Sequence, residues 1–181
     1  MGKTPSFPLE PHVGRILQQP NSQKGLYLEW AMERQRLTVQ FAKLDQRAVL
    51  PTQGSASAAG WDLYAIEDTN VPKGSSVMIR TGWACAIPEG WEGQLRCRSS
   101  LGKKGMIMPN GVGTIDADYR GELMVLATWI GEGDTFHITA GERIAQMLFA
   151  PVPEVTLVET AVDDLGMTGR GTGGFGSSGQ F

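Results

Sequence analysis

The sequence predicts an all-β fold, a sandwich or a barrel, for most of its length. Glycine accounts for 24 of the 181 residues and proline for 10, and such a glycine content, against an average near 7%, favours tight turns. Short apolar stretches are separated by these turn residues, and no long helical pattern lies between them. The length suits one ordinary domain with additional tail.

Residues 1–36 are predicted to be an N-terminal extension of unknown role. Four prolines within residues 1–20 indicate an extended tail, and residues 22–36 could form a short amphipathic helix. Two interpretations stay open: a surface helix docked on the domain, or a segment that binds a protein partner.

Residues 37–160 are predicted to form the β-domain. The first strand is Leu37–Leu44, which alternates strictly between apolar and polar residues. The further predicted strands are Trp61–Ile66, Ser76–Ile87, Trp91–Arg98, Glu122–Trp129, Arg143–Pro151 and Val155–Glu159. One short helix is predicted at Ser100–Gly105, and residues 161–181 form a C-terminal arm.

Composition excludes several classes of protein. The net charge of −3 disfavours direct binding of duplex nucleic acid. No apolar run is long enough for a membrane helix, and no secretion signal is present, so we expect a cytoplasmic protein. The two cysteines, Cys85 and Cys97, are expected to be reduced core thiols.

The segment Arg98–Lys104 follows a strand and begins a predicted helix. Its serines could cap the first turn, whose N–H groups attract anions, and the guanidinium of Arg98 suits phosphate oxygens. A plain capped helix start explains the same pattern.

The segment Asn110–Gly121 contains Gly111 and Gly113, which allow a tight hairpin that a flat ligand could approach closely. In an extended stretch Asp116 and Asp118 would point the same way, as a metal site or general base requires. A polar turn is the alternative.

The segment Arg170–Gly179 has glycines and hydroxyl groups at the density of a phosphate-binding loop. It is neither a dinucleotide fingerprint nor a P-loop. A disordered glycine tail is one interpretation, and a mobile lid with a cation and a stacking ring is the other.

Five segments in order resemble the signature of the trimeric dUTP pyrophosphatases (dUTPases). They are Ala59–Ala65, Arg98–Gly102, Gly113–Gly121, Gly141–Gln146 and Arg170–Gly179. The resemblance covers roughly residues 37–181. Ser100 stands where the family more often has glycine, and Trp61 where an aliphatic residue is usual.

The resemblance implies a jelly-roll-like subunit and a homotrimer whose active sites are shared between subunits. The implied reaction is Mg²⁺-assisted hydrolysis of dUTP to dUMP and pyrophosphate, which limits uracil incorporation into DNA and supplies dUMP for dTMP synthesis. The C-terminal arm would close over a neighbouring site.

The resemblance also assigns roles to residues. Asp116 matches the general base that activates a water toward the α-phosphorus, and Asp62 matches the carboxylate that holds Mg²⁺ through water. Tyr119 matches the ring that leaves no room for a 2′-hydroxyl group. The other matched substrate-binding residues are Arg98, Ser99, Ser100, Asn110, Gly113, Met124, Gln146, Arg170, Phe175, Gly176, Ser177 and Ser178.

Two other functions are alternatives to this interpretation. A dCTP deaminase of the same fold is disfavoured by the intact hairpin segment with Asp116 and Tyr119 and by the glycine arm. A regulatory or scaffolding protein that kept the nucleotide pocket is suggested by residues 1–36, but the matched catalytic positions are present.

Overall fold

A computed structural model describes residues 36–174 and residue 177. Within them lie twelve β-strands, one α-helix and one 3-10 helix. The strands are β1 (Gln40–Lys43), β2 (Thr52–Gln53), β3 (Trp61–Tyr64), β4 (Thr69–Pro72), β5 (Ser76–Arg80), β6 (Trp83–Ala86), β7 (Trp91–Cys97), β8 (Met106–Ile107), β9 (Gly113–Ile115), β10 (Met124–Trp129), β11 (Thr135–Ile138) and β12 (Arg143–Pro151). The helix α1 spans Ser99–Lys104 and the 3-10 helix Val162–Leu165.

The strands form antiparallel sheets that do not close into a barrel within the described residues. The largest sheet has the order β2-β3-β12-β7-β9, and a second has the order β5-β10-β8. Two strand pairs, β1-β6 and β11-β4, complete the set. The prediction of an all-β, jelly-roll-like fold with one short helix is confirmed.

One hydrophobic core joins the sheets. Leu63 and Met147 of the five-stranded sheet and Ile79 and Val125 of the three-stranded sheet are all at most 1% exposed, and they belong to one cluster. Burying such a side chain contributes about 1.5–3 kcal/mol. In β7 buried and less buried residues alternate, because Gly93 and Leu95 are buried while Gln94 between them and Arg96 after them are not.

The predicted strand Ser76–Ile87 is two strands, β5 and β6. Gly82 separates them with a φ of +72°, and a Cβ at this position would lie 2.8 Å from Ala48 Cβ. The positive φ and the close packing favour glycine, and the chain turns here instead of continuing.

The predicted strand Val155–Glu159 is wrong, since the segment has no strand pairing. Its apolar side chains are exposed, with Leu157 at 91% and Val158 at 77%. A strand needs a neighbour for its backbone hydrogen bonds, and the described part of the chain supplies none at this place. The N-terminal extension lies outside the described residues apart from Arg36.

Candidate active site

A buried carboxylate holds two arginines together at one end of β7. Asp62 of β3 accepts a hydrogen bond from Arg98 Nε at Oδ1 and another from Arg143 Nη1 at Oδ2, both at 3.1 Å. Arg98 Nη1 also donates to the carbonyl oxygen of Arg143 at 3.1 Å. We call these three residues the arginine cluster.

The arginine cluster is buried at its carboxylate and open at its cations. The Asp62 side chain is 6% exposed, that of Arg98 19% and that of Arg143 48%. One carboxylate against two guanidinium groups leaves a net positive charge at the surface. Each guanidinium has five N–H donors, so donors remain for an anion once the described partners are counted.

The helix α1 begins beside this cluster. Arg98 is its N-cap residue, no side chain caps the first turn, and the N–H groups of Leu101 and Gly102 donate to the Arg98 carbonyl. The interpretation of the serines as caps is therefore wrong. Ser99 and Ser100 lie exposed in the first turn, where their hydroxyl groups are available to a ligand.

Gln146 lies next to the arginine cluster through the register of the sheet. It is opposite Asp62 of β3 on one side and Arg96 of β7 on the other. Residues that lie opposite each other in adjacent strands have side chains on the same face. The structure therefore places Asp62, Arg98 and Gln146 next to one another within one chain.

Asn110, Gly113, Asp116 and Tyr119 lie on and around β9. Asn110 Nδ2 is 3.2 Å from the position that a Cβ would take at Gly113, so these two residues are adjacent. Asp116 follows β9 and is exposed, and its carbonyl oxygen accepts a hydrogen bond from the Tyr119 N–H at 3.1 Å. The Tyr119 side chain is 40% exposed, and its hydroxyl donates to the Glu122 carbonyl at 3.0 Å. We call this group the hairpin cluster.

Asp116 borders a cavity of about 650 Å³. Glu89, Glu92 and Glu154 line it as well. Four carboxyl groups around one cavity repel a phosphate chain, because like charges in a partly closed site interact strongly. Of these two places in the described residues, the arginine cluster suits an anion better than the cavity does.

One chain places Asp116 and Arg98 toward opposite ends of β7. Ile115, the neighbour of Asp116, lies opposite Gly93 near the start of β7, whereas Arg98 follows the end of that strand. Five residues of strand span about 17 Å at ~3.3 Å per residue. Asp116 and Arg98 therefore cannot contact the same phosphate group within one chain.

Three other predicted site residues lie elsewhere. Met124 is the first residue of β10, opposite Arg80 and two residues after Glu122. Arg170 Nε donates to the Gly173 carbonyl at 2.7 Å, and the Ser177 N–H donates to the Gly174 carbonyl at 3.0 Å, so both make contacts within the arm. The predictions for Phe175, Gly176 and Ser178 lie outside the described residues.

The described residues contain no cluster of three or more His, Cys, Asp or Glu side chains that could hold a metal. Asp62 has each carboxylate oxygen engaged by a guanidinium, which disfavours a direct bond to a cation. A carboxylate oxygen accepts more than one hydrogen bond, so Asp62 fits a Mg²⁺ ion held through water.

Sequence reasoning missed Arg143. Its segment was identified, but only Gln146 was assigned a role in it. A cation at the start of a strand, three residues before the predicted substrate-binding amide of Gln146, was the available signal. The described residues also include no helix long and apolar enough to cross a membrane.

Burial changes the acidity of the Cys97 thiol, which lies between β7 and α1. Cys97 is half-buried at the end of β7, its Sγ donates to the Met106 carbonyl at 3.3 Å, and burial raises its pKa above the ordinary value of 9.0. A thiol with a raised pKa stays protonated and unreactive at neutral pH.

A protein-family model matches most of the chain. The family model described as dUTPase matches residues 46–179, which is more than half of the chain. These residues include β2 to β12, the arginine cluster, the hairpin cluster and most of the arm.

Curated relatives are similar over nearly their whole length. A deoxyuridine 5′-triphosphate nucleotidohydrolase of Wolinella succinogenes is 41% identical over 149 residues, covering 82% of this chain and 98% of the relative. A protein of Schizosaccharomyces pombe named as a probable enzyme of the same kind is 45% identical over 139 residues, covering 76% and 95%.

Solved structures are similar in fold. A mutant dUTPase of Staphylococcus bacteriophage 80alpha with dUpNHpp superposes with a TM-score of 0.66 at 29% identity, covering 78% of this chain and 98% of that one. A mutant dUTPase of phage phi11 of S. aureus, described with a structural Mg(II) ion, gives 0.61 at 25% identity, covering 68% and 97%.

Proposed function

The chain belongs to the dUTPase family, and from that premise we propose that it hydrolyses dUTP to dUMP and pyrophosphate in the cytoplasm. The arginine cluster is the observation that carries the proposal. Two guanidinium groups held by one buried carboxylate form a rigid, positively charged site with donors left for phosphate oxygens.

Asp116 acts as the general base in this proposal. Its exposed carboxylate takes a proton from a water molecule, whose oxygen attacks the α-phosphorus while the bond from phosphorus to the pyrophosphate oxygen breaks. A positioned base contributes typically about 10²–10⁴-fold to the rate. The remaining acceleration comes from charge neutralisation and positioning by Arg98, Arg143, Ser99, Ser100 and Gln146.

The hairpin cluster selects the base and the sugar. Asn110 and the backbone at Gly113 present donors and acceptors that match uracil, and cytosine would leave those groups unpaired. The Tyr119 ring lies under the deoxyribose and excludes a 2′-hydroxyl. Met124, two residues after Glu122, contributes to the same wall.

Mg²⁺ is proposed as the cofactor. When bound, it folds the triphosphate and spreads its negative charge. Asp62 would hold the hydrated ion through water while it continues to orient Arg98. A neighbouring structure described with a Mg(II) ion supports the choice of metal.

A homotrimer with shared sites is also proposed. Asp116 and Arg98 are separated along β7 within one chain, by about 17 Å at ~3.3 Å per residue. They could act on one substrate if Asp116 of one copy faces Arg98 of another. The exposed apolar segment Val155–Val158 supports this, because it suits a strand that pairs with a second copy. The arm, residues 161–181, would close over a neighbouring site with Arg170, Phe175, Gly176, Ser177 and Ser178.

The test is pyrophosphate release from dUTP, dCTP, dTTP and UTP in parallel, with Mg²⁺. We expect turnover confined to dUTP. Turnover of none of the four by a folded oligomer would overturn the proposal. Ammonia release from dCTP would assign the chain to the deaminase branch instead.

A further inference from the structure

The Tyr119 ring occupies space that only a glycine at position 121 leaves open. A Cβ built on Gly121 would lie 2.6 Å from Tyr119 Cζ and 3.0 Å from Cε2, and closer still to the phenol oxygen. The φ of Gly121 is not in the left-handed region, so the backbone itself accepts an alanine. The glycine is therefore needed for the ring and not for the turn.

The carbonyl that receives the phenol is fixed by a second set of contacts. Glu122 accepts a hydrogen bond from the Gly82 N–H at 2.8 Å through Oε1, and pairs with Arg80 Nε at 3.1 Å through Oε2. The next residue, Leu123, accepts a hydrogen bond from Thr81 Oγ1 at 2.6 Å. The Glu122 side chain is 15% exposed and that of Arg80 39%, so the carboxylate is shielded from water while the guanidinium stays open to it.

These contacts form a chain from β5 to the ring. The turn at residues 80–82 holds the Glu122 side chain, the Glu122 carbonyl holds the Tyr119 hydroxyl, and Gly121 leaves the ring its place. The Glu122 carbonyl fixes the hydroxyl end of the ring, and a side chain at position 121 would push that end away from the carbonyl. Rejecting a single hydroxyl group on a sugar requires a wall of that rigidity, because a wall that gives way by about 1 Å forfeits the steric penalty.

We propose that Gly121 and Glu122 are positioning residues that determine the discrimination between deoxyribose and ribose by fixing the Tyr119 ring. The inference rests on the proposed function of Tyr119. Neither residue contacts the substrate in this proposal, and both act through the ring.

The experiment measures the ratio of kcat/KM for dUTP to kcat/KM for UTP. Gly121→Ala displaces the ring and should lower the ratio about tenfold, since steric rejection of one small group is worth about that factor or more. Glu122→Gln keeps an acceptor for the Gly82 N–H but loses the charge that pairs with Arg80, and should lower the ratio less. Gly54→Ala is the matched control, because nothing lies within 4 Å of a Cβ there.

A double-mutant cycle separates ring positioning from general damage. Gly121→Ala should have no further effect on the ratio when Tyr119 is already alanine, because the ring it displaces is absent. Binding of dUMP and UMP by calorimetry gives the same ratio without turnover. Damage to folding alone would lower kcat/KM for dUTP and for UTP by the same factor and leave their ratio unchanged.

The outcomes distinguish this inference from the function on which it rests. If Tyr119→Ala lowers the ratio while Gly121→Ala and Glu122→Gln leave it unchanged, the positioning role is overturned and the proposed function stands. If Tyr119→Ala itself leaves the ratio unchanged, the sugar role of Tyr119 fails and the inference fails with it. If Gly121→Ala does not fold, Glu122→Gln decides alone.

Discussion

The two ends of β7 differ in how far one chain builds them. At the end of the strand, the arginine cluster is fixed by contacts among β3, β12 and Arg98, with its carboxylate 6% exposed. Near the start of the strand, Asp116 is exposed beside an acidic cavity. One chain thus builds all of the proposed anion site, whereas the proposed base lies apart from it.

Electrostatics explains the difference. Two guanidinium groups close together repel each other and stay in place only if a carboxylate between them is shielded from water and well bonded. A general base, in contrast, must contact water. It must also lie away from a paired cation, because such a cation favours the ionised carboxylate and makes it a weaker proton acceptor. The first requirement is met inside a chain, and the second at a surface that another copy can cover.

The largest effect is expected at the hairpin cluster. Asp116→Asn should keep dUTP binding and lose at least about a hundredfold in kcat, because the amide cannot take the proton from water. Steady-state turnover and calorimetric binding of dUTP measure the two quantities separately. Asp118→Asn is the matched control, since Asp118 is also exposed and carries the same charge two residues away. Near-normal kcat in Asp116→Asn would remove this residue as the base.

Mixing two inactive variants tests whether the two ends of β7 act in sites shared between copies. Asp116→Asn and Arg98→Ala impair different ends of β7, so mixed oligomers contain sites with an intact residue from each copy. If sites are shared between copies, about a quarter of them are intact in a 1:1 mixture with random assembly. Co-expression with two affinity tags isolates the mixed species for the assay.

If purified mixed oligomers recover no activity, Asp116 and Arg98 of the same chain act in the same site. That result would contradict the separation along β7. Oligomers of each variant alone, expressed with the same two tags and purified in the same way, provide the baseline for the measurement.

The fold was predictable where a pattern is local. Alternation in Trp91–Cys97 reports which face is buried, and this strand and Arg143–Pro151 are both observed as predicted. Gly82 was not recognised as a break because its reason is the packing of Ala48 against it. Val155–Glu159 has the composition of a strand, but pairing depends on a neighbour that one sequence does not reveal.

The site was predictable only as separate segments. The sequence pointed to Arg98 and Asp116, but it contains nothing that measures the distance between them along β7. Arg143 was missed because its role depends on Asp62, which is 81 residues away in sequence. Contacts of that kind arise from the sheet register, which single-sequence patterns do not determine.

A smaller effect is expected at the arginine cluster. Asp62→Asn leaves two cations with a neutral partner, so we expect a higher KM for dUTP by about tenfold and a loss of about 2 kcal/mol in the free energy of unfolding. Thermal unfolding and initial rates measure the two effects. Asp163→Asn, on the exposed 3-10 helix, should change neither. An unchanged KM in Asp62→Asn would show that the two arginines need no carboxylate between them.

The smallest effect concerns Cys97, which precedes Arg98. Burial raises the pKa of this thiol above 9.0, so the thiolate is scarce at pH 7. Iodoacetamide at pH 7 should therefore label Cys97 very little and leave kcat/KM unchanged. Because a raised pKa favours the protonated form, the labelling rate should increase with pH and stay below that of free glutathione measured alongside. Intact-mass spectrometry counts the modified thiols, with Cys97→Ser separating Cys97 from Cys85. Rapid labelling of Cys97 at pH 7, with loss of dUTP binding, would mean that the end of β7 opens in solution, and the contrast between a fixed arginine cluster and an open hairpin cluster would no longer hold.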